Sequence, residues 1–346
     1  MKKLIATLAA FGMMAGSAIA ADWNFYGSAR VTTFYTDGEV KENGVTTTDE
    51  TQLNHSLQGN ARIGANVKVS DELTGRFEYG ASSGNANIRL LYGEWNFGSG
   101  KLLVGQDYTP AYLPVSNMVY GSDDGLGNYG EYYSGRAAQV KLTFGGFQIA
   151  LVQPKNTFVY ATVADAVEAD EDNDLDITGE VVVPRLEIAY KGGMDAFKYA
   201  VAGVYQTFDT DKANNEESVT SYNVVGRIGF DAGAFTVGAQ AYFGQNIDNI
   251  SDNNVGSAAV YSANKLYDAE SYGGDFVVGM TVNDMFGLEA GVGYVKTEWD
   301  DVTGDIETYG VYLQAPITLA PGVYIIPELG YLNSETDANG LDIEDE

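Results

Sequence analysis

Apolar and polar residues alternate along most of the chain in segments of about ten residues, the length a tilted strand needs to cross a bilayer. In 23–35, Trp23, Phe25, Ala29 and Val31 share one face, and Asn24, Ser28 and Arg30 the other. In 56–69, Leu57, Ala61, Ile63, Ala65, Val67 and Val69 oppose Gln58, Asn60, Arg62, Asn66 and Lys68. A period of two is the mark of a strand with one apolar face. The same reading gives 73–80, where Phe77 and Tyr79 oppose Arg76 and Glu78. Segments 87–97 and 101–107 are apolar on both faces and have no fixed parity. Further strands follow at 136–144, 147–153, 181–191, 196–208, 221–230, 234–245, 275–282, 286–298, 306–319 and 323–331. Fifteen strands are expected in all.

Short Gly- and Asp-containing turns join successive pairs at 145–146, 192–195, 231–233, 283–285 and 320–322, as hairpins require. They alternate with long polar loops. The apolar parity also places Tyr190, Phe197, Phe230, Phe235 and Phe286 beside short turns, and Tyr205, Tyr222, Phe243, Tyr294 and Tyr309 beside long ones. Two aromatic girdles with a polar opposite face (Arg227, Gln240, Gln314, Glu328) predict an all-β, transmembrane antiparallel β-barrel. A half-buried strand of a soluble sandwich would explain any one segment but not the paired girdles. Such barrels have even strand numbers, so sixteen strands are expected. Residues 332–346 read as an outer loop, with the closing strand missing and the first and fifteenth strands left as edges.

Residues 1–20 carry Lys2 and Lys3, an apolar run and Ala18-Ile19-Ala20, the pattern of a cleaved signal peptide. One barrel domain over 21–346 is then expected. Its removal takes away two lysines and no acid, moving the formal charge from −29 to −31. Such acidity argues against nucleic acid, whose phosphates demand Lys and Arg. The absence of cysteine excludes disulfide and thiolate chemistry. With 24 Tyr, 42 Gly and 7 Pro, the composition suits many strands joined by turns.

One stretch departs from the alternation. Between the apolar runs 102–106 and 137–144 lie about thirty residues rich in Gly, Tyr, Pro and Asp, and a loop of that length is usually functional. Tyr108, Tyr112, Tyr120, Tyr129, Tyr132 and Tyr133 need a surface to pack on, which predicts that it folds inward and narrows the lumen. KLLVGQDYTP followed by this loop, DWNFYGSARVTTFY at 22–35 and YIIPELGY at 324–331 together resemble Gram-negative general-diffusion porins. The likeness is greatest to the homotrimeric outer-membrane porins of sulfate-reducing and related bacteria. It implies a homotrimer in outer-membrane lipid and lipopolysaccharide, with the early strands and the missing last one in the subunit contact. It also implies a constriction at which acids of the loop (Asp123, Asp124, Glu131, with Asp107 at the strand end) face basic wall residues. Inward parity supplies Arg30, Arg62, Lys68 and Arg76, with Arg89 less firmly placed. Arg136 is the last basic wall candidate, but it shares the parity of Val140 and Leu142, which would point it to lipid, to a neighbouring subunit or into the loop above the strand. Opposed charges in a narrow lumen orient solutes and set ion preference.

Residues 165–180 hold eight carboxylates and no base. Asp170, Asp172 and Asp174 have the spacing of a calcium loop, but Leu175 stands where Gly is needed and Val181 at the twelfth position. A weak Ca²⁺ or Mg²⁺ site is the most they suggest, and no cofactor is expected. His55 adjoins Ser56, yet neighbours on a strand face opposite ways, so no catalytic pair forms and no enzyme is expected. The expected function is passive diffusion of small hydrophilic solutes and ions. Substrate-specific transport and a non-conducting structural or adhesive barrel are the alternatives. The acidic outer loops lean the ion preference toward cations.

Overall fold

The computed structural model describes residues 21–81, 85–155, 158–159, 177–181, 183–210, 217–252, 256–262, 265–338 and 341–345. Two long strands open the chain. Asp22–Ser28 continues past residues 29–30 as Val31–Glu42, and the chain returns as Val45–Leu57 and Arg62–Lys68. Then come Leu73–Gly80, Asn87–Asn96, Lys101–Tyr108, Arg136–Phe144, Phe147–Val152, Arg185–Met194 and Phe197–Thr210. Ser218–Asp231, Phe235–Gln245, Ala269–Thr281, Gly287–Trp299, Gly304–Gln314, Glu328–Ala338 and Leu341–Asp345 complete the set. Each pairs antiparallel with its neighbour in one sheet of twenty segments. Counting the two opening strands whole, and setting aside the short outer pair Phe158–Val159 and Ile177–Glu180, these segments make sixteen passes.

Two expectations are corrected. The count of fifteen is too low, because residues 332–346 are not a loop: Glu328–Ala338 runs on, and Leu341–Asp345 returns beside it. Ile343–Asp345 also pairs with Val40–Glu42, so the first strand is not unpaired along its whole length. Below Val40 it has no second partner among the described residues, and the described sheet is not a closed barrel. The first hairpin is also longer than the alternation predicts. Residues 36–55 lack an apolar face, yet Thr-rich backbone pairs as far as Glu42↔Val45. The turn is Asn43-Gly44, both at positive φ (51° and 73°), the geometry that favours Asn-Gly in a two-residue hairpin. His55 lies on this strand, with Nδ1 2.8 Å from the Thr33 hydroxyl.

Burial is inverted relative to a soluble protein. Cross-strand rows such as Phe276, Val292, Val311 and Tyr331 lie on the exposed face. Tyr190, Phe197, Phe230 and Phe235 near the short turns, and Tyr205 and Phe243 toward the long loops, are exposed as well. The opposite face buries Glu78, Arg89, Arg185, Glu187, Gln206, Asn223, Gln240 and Asp275. A continuous apolar outer face of this extent is rare on a soluble monomer and is the pattern of a transmembrane barrel.

Candidate functional site

Residues 109–135 leave the strand Lys101–Tyr108 and fold against the polar face of the sheet. Their path follows the wall in order. The Ala111 amide donates to Glu187 Oε2 at 3.0 Å. Gln240 Nε2 donates to the Leu113 carbonyl at 2.8 Å, and its Oε1 accepts from the Tyr132 amide at 2.6 Å. Asn117 donates to Glu289 through its backbone and side chain. The Val119 and Tyr120 amides donate to the two oxygens of Glu328, at 2.7 and 2.9 Å. The loop is thus pinned by carboxylates and amides from four strands that are far apart in sequence.

The tip is the helical turn Tyr120–Asp123. Asp123 pairs there with Arg30 and accepts from Gln58 Nε2 at 2.6 Å and Asn60 Nδ2 at 3.3 Å. The return arm packs on backbone where side chains are missing. A Cβ on Gly293 would collide with the Tyr129 carbonyl, and one on Gly130 with Gly274 and Tyr294 backbone. Leu126 and Met118 fill a small core with Tyr312. Tyr108 and Tyr112 stack 4.2 Å apart at the root of the loop.

Across from the loop, on the early strands, one carboxylate organises three guanidiniums. Glu78 is buried, with Arg89 at 2.7 Å, Arg76 at 3.1 Å and Arg62 at 3.6 Å. The Tyr26 hydroxyl donates to Glu78 and accepts from Arg76 Nε. Arg89 also donates to Asn60, which ties the cluster to the loop tip. A single negative charge leaves two positive charges uncompensated on this wall.

The expected site residues therefore divide. Arg62, Arg76 and Arg89 form the wall cluster, and Arg30 meets Asp123. Asp107 pairs with Lys141 at 2.9 Å. Arg136 lays its guanidinium over the Tyr108 ring, 5.4 Å from the centroid, at the strand end. Asp124 accepts from the Ser122 amide at 3.1 Å, and burial raises its pKa. Glu131 points behind the loop, accepting from the Ser116 amide at 2.7 Å and the Val115 amide at 3.3 Å. Burial, then the neighbouring Asp275 carboxyl, hold its pKa well above the usual carboxylate range. Lys68 forms an exposed pair with Asp71 at 2.7 Å, beside a short turn and away from the cluster. Asp170, Asp172 and Asp174 lie outside the described residues.

Sequence reading missed Glu78 as the hub, and Glu187, Glu289 and Glu328 as loop anchors. Inward parity was their only signal, and it marks every lumen residue alike. A second inward segment also went unread. Residues 246–251 are buried, with Arg185 Nη1 donating to the Ile250 carbonyl at 2.9 Å and the Asp252 amide to the Tyr133 carbonyl at 2.9 Å. Among the described residues no cluster of metal-ligating side chains occurs.

A family model described as Gram-negative porin matches residues 6–338. No curated protein matches the chain in sequence. Among solved structures, the chain is similar to the outer membrane channel DcaP of Acinetobacter baumannii, with TM-score 0.65, 14% identity, and 95% of this chain and 98% of that one covered. It is similar to the trimer form of OmpT of Vibrio cholerae, with TM-score 0.56, 15% identity, and 94% and 98% covered. It is also similar to an anion-selective porin from Comamonas acidovorans, with TM-score 0.52, 12% identity, and 94% and 97% covered. Identities this low speak for the fold alone.

Proposed function

The chain belongs to the Gram-negative porin family, and on that premise we propose that it passes small hydrophilic solutes and ions passively through a lumen narrowed by residues 109–135. The coarse part is plain from the family: it is an outer-membrane channel, not an enzyme. One observation carries the finer part. The loop is fastened along the polar face and clasped by Asp123 to Arg30, beside a wall where Glu78 is outnumbered by Arg62, Arg76 and Arg89. A fixed charge excess beside a narrow passage selects by sign. The preference is therefore for anions, although the sequence as a whole is acidic and its outer loops lean toward cations. Narrow-point charges act at contact range, whereas charges on outer loops are screened over about 8 Å at physiological salt.

The remaining parts belong to the same reading. The sheet closes as a sixteen-strand barrel, exported with a cleaved leader at residues 1–20. The apolar outer face meets lipid and lipopolysaccharide acyl chains, and the barrel associates as a homotrimer. Planar-bilayer recording across a salt gradient tests this on native protein. The expected result is current in steps of three with a reversal potential of anionic sign. Silent bilayers from correctly folded protein would overturn the channel reading, and a cationic sign would overturn the role of the arginine wall. The second inward segment, 246–251, favours one alternative, a channel selective for a particular solute, which would show saturable block by that solute.

A further inference from the structure

A separate recess opens where the root of the loop meets the middle strands. It has a volume of about 460 Å³ and lies between Tyr112, Leu113 and Pro114 of the loop and Lys191, Lys198 and Arg227 of three adjacent strands. Pairing sets these cations on one face: Lys191 and Arg227 both oppose Ala200, and Lys198 opposes Gly229 one step along. That level lies toward the short turn at 195–196, on the side of the loop away from the long outer loops.

Among the described residues no carboxylate lines this space. Lys191 Nζ spends one proton on the Tyr112 carbonyl, at 3.3 Å. Arg227 Nε is buried without a hydrogen-bond partner, and neither Arg227 nor Lys198 has an ion pair among the described residues. The nearest acid on the Arg227 row is Asp275, beyond Gln240 and under the loop with Glu131. Three cations around one small recess repel each other, and an anion placed among them would relieve that repulsion. The opposite lining is aromatic and aliphatic. Convergent polar groups facing an apolar wall, in a space of this size, are the usual form of a small-molecule site.

We propose that this recess binds a small organic anion, its carboxylate on Arg227, Lys198 and Lys191 and its apolar body on Tyr112, Leu113 and Pro114. It would act as a resting place next to the constriction, and it rests on the reading of the enclosed space as a water-filled lumen. The arginine cluster around Glu78 is on other strands and takes no part.

Equilibrium dialysis of labelled phenylacetate against detergent-solubilised native protein tests the site without requiring current. Saturable binding is expected, with no binding of phenethylammonium, the same body with the opposite charge. Lys198→Gln and Arg227→Gln should each weaken phenylacetate about tenfold, the loss of one charge-assisted hydrogen bond. Lys198→Arg should restore it. Folding of each variant is checked by its heat-modifiable migration. No saturable binding to the native protein, or equal affinity in both folded Gln variants, overturns the proposal. Phenylacetate binding to a protein that is silent in bilayers would overturn the channel reading and leave the site standing. Conduction without binding would do the reverse.

Discussion

Glu78 sets the charge of the early wall almost alone. It is within 3.6 Å of three guanidiniums and accepts from Tyr26. Glu78→Gln keeps the shape and removes the counter-charge, leaving three arginines to repel one another. Resistance to urea should fall by about 2–3 kcal/mol, at or just below the range for breaking a buried pair, because water reaches the lumen side. In the folded variant the reversal potential should move further toward the anion limit. An unmoved potential would show that this wall does not select. Glu131 behaves differently because its raised pKa comes from burial and from Asp275. The seated loop holds a proton that a free carboxyl would have lost. Seating is therefore fully favoured below the ordinary value of 4.5 and weakens as pH rises toward the raised value. Open-channel noise should grow with pH over that window, and Glu131→Gln should flatten the trend; noise that falls as pH rises would refute it. At this scale the sequence yielded Arg30, Arg62 and Arg76 by parity. It did not yield Glu78 as a hub or Glu131 as an anchor, because a side chain's partner across a lumen leaves no period to read.

Among the elements, the loop depends on glycine where it touches the wall. Gly293→Ala would drive a methyl into the Tyr129 carbonyl, and backbone has little room to yield. The return arm should lift, raising single-channel conductance and the size of sugar that enters proteoliposomes. Unchanged conductance in folded protein would mean that the arm does not line the passage. Strand existence was legible wherever lipid forces one face to be apolar. It failed at 36–55 and 332–346, where strands extend beyond that face and Thr, Asp and Glu lie on both sides. There the ladder is held by backbone hydrogen bonds and by turn chemistry such as Asn43-Gly44, which hydrophobic periodicity does not register.

For the molecule as a whole, inverted burial is the governing fact. Val292 sits between Phe276 and Val311 on the exposed face. Val292→Arg should cost about 2–4 kcal/mol of folding free energy in bilayers if the row lies near the midplane. The same change on the inward face, at Ala241's neighbour Gln240, would instead disturb the loop, since Gln240 holds both Leu113 and Tyr132. Refolding yield into vesicles separates the two, and a Val292→Arg protein that refolds as well as native would remove the lipid assignment. The girdles and the fold class were readable because one solvent acts on every strand alike. The pairing of residues 40–42 with 343–345 was not, since Lys41 and Glu344, which it brings together, are 303 positions apart.

The fastening of residues 109–135 has a mechanical consequence. A beam bonded along its side to Glu187, Gln240, Glu289 and Glu328 cannot swing as a door. The part not fastened to these four strands is the short overhang beyond Glu328, held on the early wall by Arg30, Gln58 and Asn60. An applied voltage exerts force on charge, and the overhang carries the adjacent carboxyl groups of Asp123 and Asp124. Under rising voltage the tip alone should deflect, so the current would shrink by degrees rather than cease in one jump.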